Sequence, residues 1–115
     1  MRIERGAFTD YLALARHHYV SAMPACPVLV LRAMKWGILA GVLVVSMPTM
    51  NGAWRRIAWK EQPEDRSQRV RWLNAHVRTL SRLVIDPRVR GLGIATALVR
   101  KYLADPVTER TEASA

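Results

Sequence analysis

The chain has 115 residues, half of them apolar, a single cysteine, and 18 lysines and arginines against 9 aspartates and glutamates, for a formal charge of +9. That length sustains one compact domain with a core, one cysteine excludes an internal disulfide, and the surplus of cations favours an anionic partner over a cationic one. The longest apolar run, 37–47, is shorter than the roughly 20 residues that a bilayer span needs. The first residues mix Arg2, Glu4, Arg5 and Asp10 without the apolar stretch of a secretory signal. A cytoplasmic setting with Cys26 reduced is the expectation that follows.

Phe8, Tyr11, Leu12, Ala15 and Tyr19 recur at intervals of three and four residues, which predicts a helix over 6–19. Pro24 and Pro27 break it and open an extended run over 28–36, after which Gly37 supplies a turn. The next run, 37–47, carries Val42, Leu43, Val44 and Val45 in succession and predicts a strand covered on both faces, paired with the first as a hairpin. Pro48, Asn51 and Gly52 end it, and a loop follows with Trp54, Arg55, Arg56, Trp59 and Lys60. Pro63 before Glu64 and Asp65 reads as a helix start, with proline in the first turn and carboxylates at the positive end of the dipole; Val70, Leu73 and Val77 then share a face. A strand over 79–85 ends at Asp86-Pro87, and a helix over 93–103 ends before Asp105-Pro106. The predicted order is α, β, β, α, β, α and a short tail.

Chemistry concentrates in 83–99, which reads as a strand, a glycine loop and a helix with Ile94, Leu98 and Tyr102, and Ala95 and Val99, on its buried rows. The first turn of a helix has unpaired N–H groups and partial positive charge, so such a junction suits an anion. Gly91 and Gly93 allow positive φ and close approach of a phosphate to the backbone, and Arg88 and Arg90 add full charges. A pyrophosphate matches that set. A plain tight turn before a helix is the competing account.

Within this stretch Arg90-Gly91-Leu92-Gly93-Ile94-Ala95 matches the Q/R-x-x-G-x-G/A motif of the GNAT superfamily of N-acetyltransferases, and Val84-Ile85-Asp86-Pro87 resembles the strand end that precedes it there. A second register, Arg88 to Gly93, fits as well. The resemblance implies an α/β GNAT-like fold, a mixed or antiparallel sheet flanked by helices, with acetyl-coenzyme A as acetyl donor. It places the pyrophosphate on the amides of Gly91, Leu92, Gly93, Ile94 and Ala95, a hydroxyl donor at Thr96, and the pantetheine arm along the backbone of Leu83, Val84 and Ile85. The amine would attack the thioester directly, with backbone donors near the strand end stabilising the oxyanion. The resemblance assigns neither a catalytic residue nor an acceptor.

More loosely, 41–48, Asn51-Gly52 and 78–90 resemble the acetyltransferase domain joined to ABC-type ATPases in some bacteria, which makes such an ATPase, or a second copy completing the sheet, an implied partner. The whole of 1–115 is read as one GNAT-like domain that departs from the family at both ends. The expected first strand is missing or reduced to 1–4, and 111–115 could only start the next strand. The last strands and the helix that often brings a tyrosine acid are not found, so a truncated fold is expected.

The alternative from another class is a small basic nucleic-acid-binding module without enzymatic activity. Arg55, Arg56, Lys60, Arg66, Arg69, Arg71 and Arg78 lie among Trp54, Trp59 and Trp72, a mixture that suits phosphate contacts and base stacking. A solvated basic face with tryptophans turned inward needs no ligand. Adjacent His17 and His18 point about 100° apart on a helix and do not chelate together, so no metal is expected. His76 reads as a helix residue, Glu61, Glu64 and Asp65 as helix-start carboxylates, Met34, Met47 and Met50 as core filling, and Cys26 as a structural thiol.

Overall fold

A computed structural model of the chain describes residues 1–15, 26–48 and 63–113. Five strands form one sheet in chain order: β1 (Arg2–Arg5), β2 (Pro27–Lys35), β3 (Ile38–Ser46), β4 (Val77–Ile85) and β5 (Arg110–Ala113). Helix α1 (Phe8–Ala15) lies between β1 and β2 in sequence, α2 (Arg66–His76) between β3 and β4, and α3 (Ile94–Ala104) between β4 and β5. The first four strands are antiparallel, and β5 alone runs parallel to its neighbour, β4, so the sheet is mixed.

The two predicted runs do form a hairpin. Trp36 and Gly37 both take positive φ, 54° and 73°, as the tight two-residue connection of twisted strands requires. Every residue from Ala40 to Ser46 is buried, which fits the unbroken apolar pattern of a central strand. Ala33, Ala40, Leu43 and Val45 pack with Val89, Ile94, Leu98 and Tyr102 on the α3 face, while Val30, Val42, Val44 and Val84 pack with Tyr11 and Leu14 on the α1 face. Two helices therefore cover opposite faces of one sheet. Where Gly41 passes beneath α3 there is no space for a side chain: a Cβ would lie 2.8 Å from Ile85 Cδ1 and 3.1 Å from Ile94 Cγ2.

Several expectations are corrected. Of the two expectations for the first strand, missing or reduced to 1–4, the reduced one holds with its bounds shifted by one: Arg2–Arg5 pairs with β2 at the sheet edge, held there by Arg32, which bonds Glu4 at 2.7 Å and Asp10 at 3.4 Å. The strand start expected at 111–115 is described as Arg110–Ala113, so among the described residues the order is β, α, β, β, α, β, α, β. Pro63 and Glu64 precede the second helix instead of opening it. Asp65 is its N-cap, accepting from the amide of Gln68 at 3.0 Å, which is what a short carboxylate does best. Val77 is not on the helix face but is the first residue of β4, wholly buried, and the strand predicted over 79–85 starts two residues early. Helix α1 is described from Phe8, since Asp10 caps the amide of Ala7 and leaves Gly6 outside. The continuation to Tyr19, with His17 and His18, and the loop with Trp54, Arg55, Arg56, Trp59, Lys60 and Glu61, lie outside the described residues, as does Met50.

Candidate functional site at the end of the fourth strand

The site is built where β4 leaves the sheet. Asp86 is 3% exposed, its amide donates to the carbonyl of Ala40 at 2.8 Å, and its carboxylate accepts from the amide of Arg88 at 2.9 Å. Pro87–Val89 thereby closes into one 3-10 turn, with proline at its start and Val89 buried against the sheet. Sequence reasoning read Asp86-Pro87 only as a strand end. The signal for more was available: an aspartate before proline, two residues ahead of an amide, is a local cap.

Arg88, expected as a free cation of the site, is folded onto that aspartate, with its Nη2 2.8 Å and its Nε 3.1 Å from the two carboxylate oxygens. The hydrogen bond to Asp86 holds its guanidinium above the ordinary range. Its charge at the loop is accordingly balanced, and its evident role is to fix the turn.

Beyond the turn the chain reverses through Gly91 and Gly93, at φ 82° and 78°. L-residues avoid that region, so the glycines are needed for backbone shape. A Cβ at either position would meet nothing within 4 Å, so the space over the loop is open. Gly93 is the N-cap of α3 and brings no side-chain hydrogen bond to the helix end. The first helical bond runs from the amide of Ala97 to the carbonyl of Gly93 at 3.0 Å, which leaves the amides of Ile94, Ala95 and Thr96 without an acceptor inside the helix. Three donors and the dipole point out where Gly91 and Gly93 contribute no side chain.

A hollow of about 420 Å³ opens over this loop, lined by Leu83 and Ile85 of β4 together with Val89, Arg90, Gly91, Gly93, Ile94 and Ala95. A second, of about 390 Å³, continues down the helix between Leu83, Ala95, Thr96, Val99 and Arg100. Leu83 and Ala95 belong to both, so the two form one furrow along the flank of α3. Of the sequence-predicted residues, Leu83, Ile85, Arg90, Gly91, Gly93, Ile94, Ala95 and Thr96 are gathered along it. Ile94 also reaches the core with Leu98 and Tyr102, while Ala95 and Val99 are only partly buried. Val84 turns its side chain to the opposite, α1 face, and can offer the furrow only its backbone. Leu92 is half exposed at the loop tip.

The outer edge of β4 borders the furrow. Strand β5 pairs with residues 77–80 and no further, whereas β3 pairs along almost the whole of β4. Between them, among the described residues, the edge of 81–85 has no strand beside it. The register slips at Ser81, a β-bulge that increases local twist and marks where the two-sided pairing ends.

Four of the other candidates, Arg69, Arg78, Trp72 and His76, have local partners, while Arg66 and Arg71 are exposed. Arg69 donates to the carbonyls of Pro63 and Glu64, Arg78 to those of Asn74 and Val77, and Trp72 lies between the ring of His76 and the guanidinium of Arg110. His76 Nδ1 also contacts Glu109, whose carboxyl is held below its ordinary value by a backbone hydrogen bond and then by His76. No group of three metal-ligating side chains occurs among the described residues. Among them, too, no helix is long and apolar enough to cross a membrane. Cys26 is exposed, not packed in the core.

No family profile matches the chain, and neither does any curated protein sequence. Solved structures do match. One is the aminoglycoside 6'-N-acetyltransferase AAC(6')-Ig from Acinetobacter haemolyticus in its apo form, 17% identical over all of this chain and 79% of that one, with a TM-score of 0.60. Another is the aminoglycoside N-acetyltransferase AAC(6')-Iy in complex with coenzyme A, 14% identical over 99% of this chain and 78% of that one, with a TM-score of 0.57.

Proposed function

We propose, from the premise that this chain has the GNAT acetyltransferase fold it shares with those two enzymes, that it binds acetyl-coenzyme A along the α3 furrow and transfers the acetyl group to an amine. The observation that carries the reading is the pair of left-handed glycines, Gly91 and Gly93, which aim the amides of Ile94, Ala95 and Thr96 into open space beside an unpaired strand edge. Open donors at a helix start fit a pyrophosphate, and a bare strand edge fits an amide-bearing arm.

The donor supplies an activated acyl thioester. The chain's own contribution is to bind and orient it. Amides 91–96 hold the pyrophosphate, Arg90 adds charge on the rim, and the Thr96 hydroxyl adds a donor. The backbone of Leu83, Val84 and Ile85 lines up the pantetheine arm, while the side chains of Leu83 and Val99 cover its apolar flank. Edge amides near the bulge at Ser81 are placed to stabilise the developing oxyanion. Loss of the acetyl group to water is limited by the same packing. A strand from a second copy or from a joined ATPase would seek the same edge of β4, so such a partner and the donor compete. A cytoplasmic location belongs to this proposal as well.

The test is ligand-dependent stabilisation. At a hundredfold excess over Kd, acetyl-coenzyme A should raise unfolding free energy by about 2.7 kcal/mol, seen as a higher Tm. Gly93→Glu puts a carboxylate and a strained φ in the phosphate position and should abolish that rise. An equal rise in both proteins rules out the site, and polynucleotide giving the same rise would revive the nucleic-acid reading.

A further inference from the structure

The β2–β3 hairpin reaches past the rest of the sheet. Strand β1 begins opposite Met34 and β4 ends opposite Gly41, so among the described residues 35–39 have no strand on either flank. At about 3.3 Å per residue, the hairpin projects roughly 10 Å beyond the end of β4. Its extremity is the turn of Trp36 and Gly37. Trp36 is 73% exposed, more than any other large apolar side chain described, and a Cβ at Gly37 would meet nothing within 4 Å, so the tip stands clear of the body.

Two properties of Trp36 run against folding alone. A turn with positive φ at both central residues favours Asn-Gly, and a bulky L-residue at φ 54° is strained there. A large apolar ring left in water is the second cost. Strain kept at an exposed position outside the core points to a use outside the fold. The surroundings are cationic. Lys35 Nζ lies 5.1 Å from the centroid of the Trp36 ring, and Arg2 stands opposite Met34, two residues before the turn. Neither 33–41 nor 87–93 contains a carboxylate. The acids nearest this end, Glu4 and Asp86, are engaged by arginines, Glu4 by Arg2 and Arg32 and Asp86 by Arg88. Met1, 58% exposed, continues β1 towards the same end and adds apolar surface.

We infer that this tip attaches the chain to the surface of an anionic bilayer: the Trp36 ring enters the headgroup region while Lys35 and Arg2 meet lipid phosphates. A stable protein partner buries about 800 Å² on each side, an area that a five-residue projection does not supply. A nucleic acid is held along a basic groove on which successive bases stack, whereas the tip presents one ring. A bilayer interface asks for neither a broad area nor a matching shape, and an amphipathic ring with a cation beside it is stable at headgroup depth. The formal charge of +9 favours anionic lipid over neutral lipid. The mode is attachment to one leaflet, not a span, and it stands or falls independently of the acetyl-coenzyme A reading.

The experiment is cosedimentation of the full chain with vesicles of phosphatidylcholine alone and of phosphatidylcholine mixed with phosphatidylglycerol. The wild-type chain should bind the anionic vesicles about tenfold or more tightly than the neutral ones, with the preference shrinking as salt rises. Trp36→Asn installs the residue that the turn favours, so it should raise Tm by a few degrees while weakening binding to the anionic vesicles about tenfold. Loss of binding in a variant that melts higher is not loss of folding. Trp36→Tyr keeps an interfacial aromatic and should retain part of the affinity. No binding of the wild-type chain to anionic vesicles overturns the inference, as does equal binding to both vesicle types or equal binding by wild type and Trp36→Asn. A lower Tm in Trp36→Asn removes the strain on which the inference stands and overturns it as well. Retention of a single-stranded oligonucleotide that depends on Trp36, with no retention on vesicles, overturns it in favour of a nucleic-acid contact.

Discussion

Residues 77–80 and 81–85 belong to one strand, yet they live in different surroundings. The first half pairs with β5 throughout and with β3 as well at Thr79 and Leu80, with Val77 buried and Thr79 bonded to Glu112. The second half pairs with β3 alone and leaves Leu83 42% exposed above a furrow. A paired half contributes stability, and an unpaired half remains available to a ligand, so one strand serves both purposes with a bulge at the division. An exposed apolar edge is an aggregation hazard in general. Under the proposed function it is where the acetyl-coenzyme A arm would add its hydrogen bonds.

That contrast can be broken by experiment, beginning with the core beneath the open half. Leu98 is wholly buried under Gly41 in the cluster that anchors α3, and Leu98→Ala should cost about 2–5 kcal/mol in denaturant unfolding. Gly41→Val should cost about 1–3 kcal/mol, because the new Cβ meets Ile85, Ile94 and Leu98 within 3.2 Å and pushes α3 away from the sheet. If Gly41→Val proves neutral, the seating of α3 against the open half is looser than described. Leu83→Ala should change stability by no more than about 0.5 kcal/mol while shrinking the rise in Tm given by acetyl-coenzyme A, the separation of stability from binding that the comparison requires. A large stability loss with unchanged ligand response would reverse the assignment of the two halves.

The smallest effect concerns the far edge of the sheet. The hydrogen bond from Arg32, ahead of the charges of Arg2 and Arg32, holds the Glu4 carboxyl below its ordinary value of 4.5. A depressed folded pKa gives stability that is present above the unfolded value and is lost as pH falls through the folded one. Stability should therefore fall by a small amount as pH drops below about 4.5 in the wild type and less so in Glu4→Gln, measured by urea midpoints across that range. The binding half of β4 should be untouched by this change.

What the sequence revealed and concealed follows the same division. The α3 arm was legible because its determinants are local: glycines that need positive φ, an apolar period of three and four, and a proline that stops the preceding strand. The hairpin was legible for the same reason, with Gly37 between two apolar runs. The outer strands were legible only through the family resemblance, as a reduced strand at 1–4 and a strand start at 111–115, and not from their own pattern. Arg2–Arg5 and Arg110–Ala113 are four residues each, mostly polar, and carry no alternation that distinguishes a strand from a tail; only pairing with β2 and β4 makes them strands. Glu112 escaped notice for that reason, since a lone glutamate near a chain end looks solvated until a register places it across from Thr79. Arg88 was legible only as a charge: its bidentate hold on Asp86 depends on a turn whose geometry emerges only once Val89 is buried.

The parallel placement of β5 has a consequence of handedness. Two parallel neighbours joined through a helix follow a right-handed crossover almost without exception, so once β4 and β5 lie side by side, the side on which α3 must cross is decided by the chirality of L-amino acids. With α1 on the other side, the two faces of the gap are chemically distinct, and the mirror arrangement is strongly disfavoured for this topology.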